Sequence, residues 1–248
     1  MNKENIGILM PMTSKGQKWI ELSDCCFIKT FLPSFIKTAE FTKYNYVFYI
    51  GIDANDEFFS KYINKLKLRL NNESKILIQP KKLNGNPCMI WNNLFKEAYY
   101  DNIDYFYQVG DDIKILSNNW SSYFINILKK NNNIGVIGGV ELSYWNERLV
   151  KNTIGIIENG FVSRKHYEIF KTFFNIKLKT WFSDDWLSNV YNHMCFTAPN
   201  IEFINTNRVG GHNPLSRYEP NMNDRELYLR ILPNDKKILN NYLTRLKK

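Results

Sequence analysis

The feature that most limits what this chain can fold into is its alternation of short apolar runs with amphipathic stretches through the first 140 residues. Residues 6–10 form an apolar run closed by Pro11, and a run without polar alternation reads as a strand covered on both faces. Residues from about 22 to 42 look helical, with Phe27, Phe31 and Phe35 four apart on one face, and Pro33 bends or splits that helix. Residues 46–52 are a second strand. Asp56 then precedes Phe58, Phe59 and Tyr62 as an N-cap, opening a helix that ends near Asn71 and Asn72. Residues 75–79, stopped by Pro80, are a third strand. A helix over 89–100, a strand over 103–109, a helix over 119–130 and a strand over 134–140 complete the series. This βα order predicts an α/β fold with a mostly parallel sheet and helices on both faces. From Glu141 the alternation loosens through Phe161-Val162, helices near 164–174 and 184–191, and a short strand at 202–204. No repeat and no Gly/Ser/Pro linker divides the 248 residues, so the expectation is a single domain with two lobes.

Composition removes several function classes. At 44% apolar and 15% aromatic the chain has the material for a core and none of the marks of disorder. No apolar run approaches the length of a membrane span, and the charged start carries no cleavage-like site, so a soluble cytoplasmic protein is expected. Cys25, Cys26, Cys88 and Cys195 have no zinc-ligand spacing and read as reduced thiols in the interior. The net charge of +9 is scattered along the chain, which argues for a solvated basic surface and against a nucleic-acid partner.

The chemistry centres on Asp111 and Asp112, which follow Gly110 at the end of an apolar strand. Open α/β sheets bind ligands at the carboxyl ends of their strands. Two adjacent carboxylates repel, so such a pair calls for a cation or hydrogen bonds, and oxygen ligation suits Mn²⁺ or Mg²⁺ bridging a diphosphate. A polar turn is the plain alternative.

Here the sequence resembles the GT-A glycosyltransferases, Rossmann-related enzymes that bind nucleotide sugars through a short acidic motif after the fourth strand. The resemblance implies a nucleotide-sugar-binding half over about 1–140, an acceptor half over about 141–225 and a basic helical tail over about 226–248. It assigns metal ligation to Asp112 and a ribose contact to Asp111, while Gly110 stands where many members have the first acid of the motif. Pro11, Thr13 and Ser14, after the first strand, then meet the nucleobase and ribose. Asp53, after the second strand, accepts a hydrogen bond from the base, which favours uracil and hence a UDP-sugar donor. Residues 84–93, with Asn84 and Asn92, run beneath the sugar and phosphates.

A second acid pair, Asp184 and Asp185, lies between Trp181 and Trp186. It resembles the motif that supplies the catalytic base of inverting family members, with Asp185 as base, Asp184 beside it, and the two indoles available to stack on sugar faces. Helix capping by Ser183 or Asp184 is the competing reading. His212, after Gly210 and Gly211, matches the late histidine that completes metal coordination in such enzymes, and Arg208, Arg217 and Tyr218 would meet the diphosphate as a loop closes. His166 and His193 read as ordinary surface or helix residues. The basic, apolar stretch 226–248 is expected to be helices docked on the core, with peripheral membrane contact as a second use.

The expected reaction is thus metal-dependent transfer from a nucleoside-diphosphate sugar to the hydroxyl of a glycan or other acceptor. Two rivals share these residues: a non-catalytic nucleotide- or carbohydrate-binding module, and a polymerase of the Gly-Asp-Asp type, for which the chain is short and lacks a suitable upstream acid.

Overall fold

The computed structural model describes residues 3–142, 156–206 and 223–246. Among the described residues there are eight strands: β1 (Glu4–Met12), β2 (Tyr44–Asp53), β3 (Lys75–Gln79), β4 (Tyr105–Gln108), β5 (Ile113–Ile115), β6 (Val136–Glu141), β7 (Phe161–Ser163) and β8 (Cys195–Asn205). They form one sheet in the order β3-β2-β1-β4-β7-β6-β8-β5. Parallel pairing joins β3, β2, β1 and β4, and joins β6 to β8; β7 runs antiparallel to both β4 and β6, and β5 antiparallel to β8. The mostly parallel α/β sheet expected from the alternation is present, with β7 and β5 running against the rest.

Among the described residues seven α-helices cover it: α1 (Leu32–Thr38), α2 (Glu57–Lys67), α3 (Pro87–Tyr100), α4 (Trp120–Lys130), α5 (Arg164–Phe170), α6 (Ser183–Tyr191) and α7 (Asn223–Leu246). The alternation within each central strand sorts side chains into two cores. Ile6, Ile8, Met10 and Met12 of β1 face one side with Tyr46, Phe48, Ile50 and Ile52 of β2, against the phenylalanines of α1 and its approach and against Phe124 of α4. Leu9, Val47, Tyr49 and Phe106 face the other side, against Leu94 and Phe95 of α3, Trp186 and Leu187 of α6, and Tyr228 and Ile231 of α7. Burial on both faces is why these strands read as unbroken apolar runs. At Gly51 the helix comes close: a Cβ there would lie 2.5 Å from Ile90 of α3.

Four elements differ in detail from the expected alternation. The helix over 22–42 is split, as the presence of Pro33 allowed, but the break lies ahead of the proline. A 3-10 turn at Leu22–Asp24 leads to a wide π turn at Phe27–Phe31, and α1 starts only with Leu32. Pro33 has no N–H to give, and its ring would meet a carbonyl four residues back, so the wider turn takes up the misfit. Phe27, Phe31 and Phe35 still stack along one face, with ring centroids 6.1 and 5.6 Å apart. Second, β5 and β7 escape periodicity, being three residues each. Third, β8 is much longer than 202–204, reaching back to Cys195. Finally, the C-terminal stretch is one helix, with Pro233 inside it, not several.

Candidate functional site

The carboxyl ends of β2, β1 and β4 are neighbours, so Asp53, Thr13 with Ser14, and Asp111 with Asp112 line one edge of the sheet. Asp56 organises its left side. As N-cap of α2 its Oδ1 accepts from Phe59 N at 3.0 Å, and the same carboxylate accepts from Ser14 N at 2.6 Å and Ser14 Oγ at 2.8 Å. Thr13 Oγ1 is 3.4 Å from Asp56 Oδ2. The N-cap was legible in the sequence; its hold on a loop 42 residues away was not.

Asp53 is half-buried, and among the described residues no donor reaches its buried Oδ1. Burial first, then the charge of Asp56, pushes its carboxyl above the ordinary value, opposed by a hydrogen bond from Thr13 and the charge of Lys15. A buried acceptor atom without a donor is costly alone and is suited to a ligand N–H. Pro11 is buried at the end of β1.

Asp111 is 1% exposed and Asp112 half-buried, so the two acids have different access to a ligand. Asp111 points inward, where its charge adds to the burial that raises the Cys25 thiol to about 11. Asp112 folds back over its own turn: a Cβ on Gly110 would lie 2.6 Å from Asp112 Oδ1. Gly110 is therefore the space that Asp112 occupies, and an acid there would displace it. The backbone of Asp112 is held by Thr206, whose N and Oγ1 both donate to its carbonyl at 2.9 Å. Nearby, Glu141 at the end of β6 is buried and accepts from Asn205 N at 3.1 Å through both oxygens. Glu141 went unnoticed in the sequence, although it too is an acid ending an apolar strand. The two strands around the acid pair are not paired to each other: β4 lies between β1 and β7, while β5 is at the far edge. The acids thus end a strand and do not tip a hairpin.

On the opposite side, the starts of α3 and α6 meet. Cys88 N donates to Lys179 O at 3.2 Å and Ser183 Oγ to Thr180 O at 2.9 Å, pinning the loop that leads into α6. Phe182, in the left-handed region at φ 61°, turns the chain into the helix. Ser183 thus bonds backward to Thr180 O. Asp184 and Asp185 both sit in the first turn of α6. Asp185 is half-buried, and burial holds its carboxyl above the ordinary value. Its charge adds to the burial that raises the Tyr228 hydroxyl on α7.

Several predicted residues take other places. Trp186 is not available to a sugar: it is 1% exposed, and its Nε1 donates to Asp235 Oδ2 at 2.7 Å. Trp181, by contrast, is 46% exposed. Asn92 is buried, and its amide clamps a loop, donating to Phe174 O at 3.0 Å and accepting from Phe174 N at 2.8 Å. Trp91, one residue earlier, donates to Leu9 O at 3.1 Å. Asn84 is exposed and joins the loop after β2 through Asn55 at 2.6 Å. His166 is no surface residue: it is 1% exposed, bonded to Tyr191 Oη and Phe173 O, and burial lowers it to about 4. His212, Arg208, Arg217 and Tyr218 lie outside the described residues. Among the described residues no cluster of three His, Cys, Asp or Glu side chains is gathered for a metal, and no helix is long and apolar enough to cross a membrane.

No family model matches the chain, and no curated protein matches it in sequence. Solved structures do match. The 1–349 fragment of Staphylococcus aureus TarS, a GT-A glycosyltransferase, superposes with a TM-score of 0.60 at 12% identity over 94% of this chain. The same fragment in complex with UDP-GlcNAc gives 0.62 at 13% identity over 94%. Full-length TarS gives 0.60 at 12% identity over 98%. The chain spans 65% of the fragment and 43% of the full-length protein. At this identity the likeness defines the fold, and the fold is GT-A-like.

Proposed function

We propose that this chain is a glycosyltransferase that moves a sugar from a nucleoside-diphosphate sugar, UDP-linked, to an acceptor hydroxyl. The observation that carries the reading is the placement of Asp53, with its undonated buried oxygen, on the same sheet edge as Asp111 and Asp112. An N–H acceptor at the end of β2 and a carboxylate at the end of β4 suit the two ends of a uridine diphosphate, base and phosphates. The GT-A-like fold supports the same donor class, since one of its solved likenesses is a UDP-GlcNAc complex.

In this reading Asp53 accepts the uracil imide N–H, and Thr13 and Ser14, fixed by Asp56, set the loop under the nucleoside. Asp112 faces the diphosphate, and buried Asp111 supports it from behind. A divalent ion suits this set if the donor supplies most of its ligands, because Mg²⁺ and Mn²⁺ sites are commonly built from one or two carboxylates plus substrate phosphates. Bound there through Asp112, Mn²⁺ or Mg²⁺ would neutralise the phosphates of the leaving group. His212 is the remaining candidate ligand. It comes six positions after Thr206 in the sequence. Asp185 takes the acceptor's hydroxyl proton; the acceptor oxygen bonds to the anomeric carbon, and the bond from that carbon to the diphosphate breaks with inversion.

The test is a melt of the protein with UDP, GDP, CDP and ADP, each with and without Mn²⁺, followed by hydrolysis of the corresponding nucleotide sugars. Binding to the folded state stabilises it by RT ln(1 + [L]/Kd), about 2.7 kcal/mol at a hundredfold excess over Kd. Stabilisation by UDP with Mn²⁺ that Asp53→Ala removes is the expected result. A melt that no nucleotide moves would sink the proposal.

A further inference from the structure

The segment from Asn175 to Trp181 carries a surface that neither the sheet edge nor the acid pairs use. Its backbone is tied down at both ends. Leu178 N donates to Asn175 O at 2.9 Å and Lys177 N to Asn175 Oδ1 at 3.0 Å, while Asn175 Nδ2 donates to Asp235 Oδ2 at 2.7 Å. At the other end Lys179 O accepts from Cys88 N at 3.2 Å. Leu178 is fully buried and seats the loop on the core. The residues around it face water: Ile176 is 62% and Trp181 46% exposed, with Lys177 and Lys179 exposed between them. Apolar residues scattered singly over a surface are ordinary. Here an isoleucine and an indole stand with two lysines between them, on a backbone held too firmly to fold them away.

The charge of this surface is of one sign. No Asp or Glu occurs from Lys171 to Ser183, and among the described residues neither Lys177 nor Lys179 makes an ion pair. The nearest acids in sequence and contact are turned to other groups. Glu168 bonds Lys165 at 2.9 Å and Tyr242 at 3.0 Å, Asp235 bonds Asn175 and Trp186, and Asp184 and Asp185 are half-buried. A complementary partner supplies negative charge for the lysines and an apolar layer directly behind it. An anionic lipid bilayer has both, in that order, and an indole settles at its headgroup level. A nucleic acid offers phosphates without the apolar layer.

We propose that residues 175–181 dock this chain peripherally on an anionic membrane. Ile176 and Trp181 enter the headgroup boundary, and Lys177 and Lys179 meet lipid phosphates. The net charge of +9 adds attraction at longer range. Because the loop leads directly into α6, docking sets the start of that helix at the bilayer surface. In this reading the membrane contact expected of 226–248 belongs to another element. Exposed Leu229 and Ile238 lie nine residues apart on α7, about two and a half turns, so they point to opposite sides and make no common apolar face.

The experiment is co-sedimentation of the full chain with vesicles of phosphatidylcholine alone, or of phosphatidylcholine with about a third phosphatidylglycerol. The expected result is binding to the anionic vesicles only, falling as salt rises. Replacing both lysines, Lys177→Ala with Lys179→Ala, lowers the partition coefficient about thirtyfold, since each lysine at an anionic surface contributes about a factor of five. Ile176→Ser with Trp181→Ser lowers it about tenfold. The pair Lys67→Ala with Arg69→Ala, exposed at the end of α2, removes the same charge elsewhere and keeps the binding. Brominated phosphatidylglycerol quenches tryptophan fluorescence in the wild type, and Trp181→Phe, melting as wild type does, removes that quenching. The docking is overturned if the chain stays in the supernatant with anionic vesicles at low salt. It is equally overturned if the Lys67 and Arg69 pair loses as much binding as the loop pair, or if quenching persists in Trp181→Phe. Retention of single-stranded RNA in place of the vesicles would assign the lysines to nucleic acid and overturn it too. None of these outcomes depends on the nucleotide site, which the melt with UDP tests separately.

Discussion

Gly110 and Asp112 behave as a pair, because the hydrogen on one leaves the room in which the other's carboxylate lies. The glycine therefore leaves space that a side chain at 110 would take from Asp112. Gly110→Ala should leave the fold nearly intact, since the only close atom is the movable end of a side chain. On the proposed reading it should displace Asp112 from the diphosphate and raise the donor KM about tenfold, since small misplacements at a reacting site are amplified; donor saturation curves for the two proteins would show it. Asp185 makes the second residue-scale prediction. Its carboxyl is held above the ordinary value by burial. An acid raised in this way favours the folded state below its unfolded value of about 3.9, and that stabilisation is lost as pH rises through the folded value. At neutral pH the ionised group therefore costs stability. Asp185→Asn should melt at or above the wild-type temperature at neutral pH, with the gap closing toward pH 4, while transfer drops by about 10² to 10⁴. In the proposed role of base it works deprotonated, so the acid limb of wild-type kcat/KM should fall above the ordinary carboxylate range. A variant that melts lower and keeps its activity would remove Asp185 from that role.

Among the elements, α6 carries the second acid pair, and α7 fixes α6. Asp235 of α7 accepts from Trp186 Nε1 and from Asn175 Nδ2, each at 2.7 Å, joining the core of α6 to the loop before it. Asp235→Ala strands the buried indole N–H, and the cost should be about 1–3 kcal/mol in the urea midpoint. Because α6 then loses its brace, kcat should fall although Asp235 lies outside the acid pair; an unchanged midpoint would show that the brace is dispensable. The approach to α1 teaches a related lesson. The four-residue spacing of Phe27, Phe31 and Phe35 reports correctly which face is buried, yet it cannot report that Pro33 forces a wider turn.

For the whole molecule, the sheet runs without interruption from β3 to β5, so the two lobes expected from the sequence share one sheet. Antiparallel β7 joins β4 to β6 across the boundary expected near residue 140. Calorimetry should accordingly show one cooperative transition, with calorimetric and van't Hoff enthalpies equal; two resolved transitions would mean that the lobes fold separately. The sequence alone determined the layered α/β class, the first four strands, the acids that end β2 and β4, and the Asp56 cap of α2. These depend on local periodicity and on residues whose backbone preferences act within a few positions. Only the tertiary structure decided that Asp53, Thr13, Asp111 and Asp112 share an edge, and that Trp186 is core while Trp181 faces water. It also decided that Asn92 and His166 brace loops and that Gly110 makes room for Asp112. Those outcomes depend on contacts between residues tens of positions apart, and burial, hydrogen bonding and carboxylate access exist only once the layers have packed.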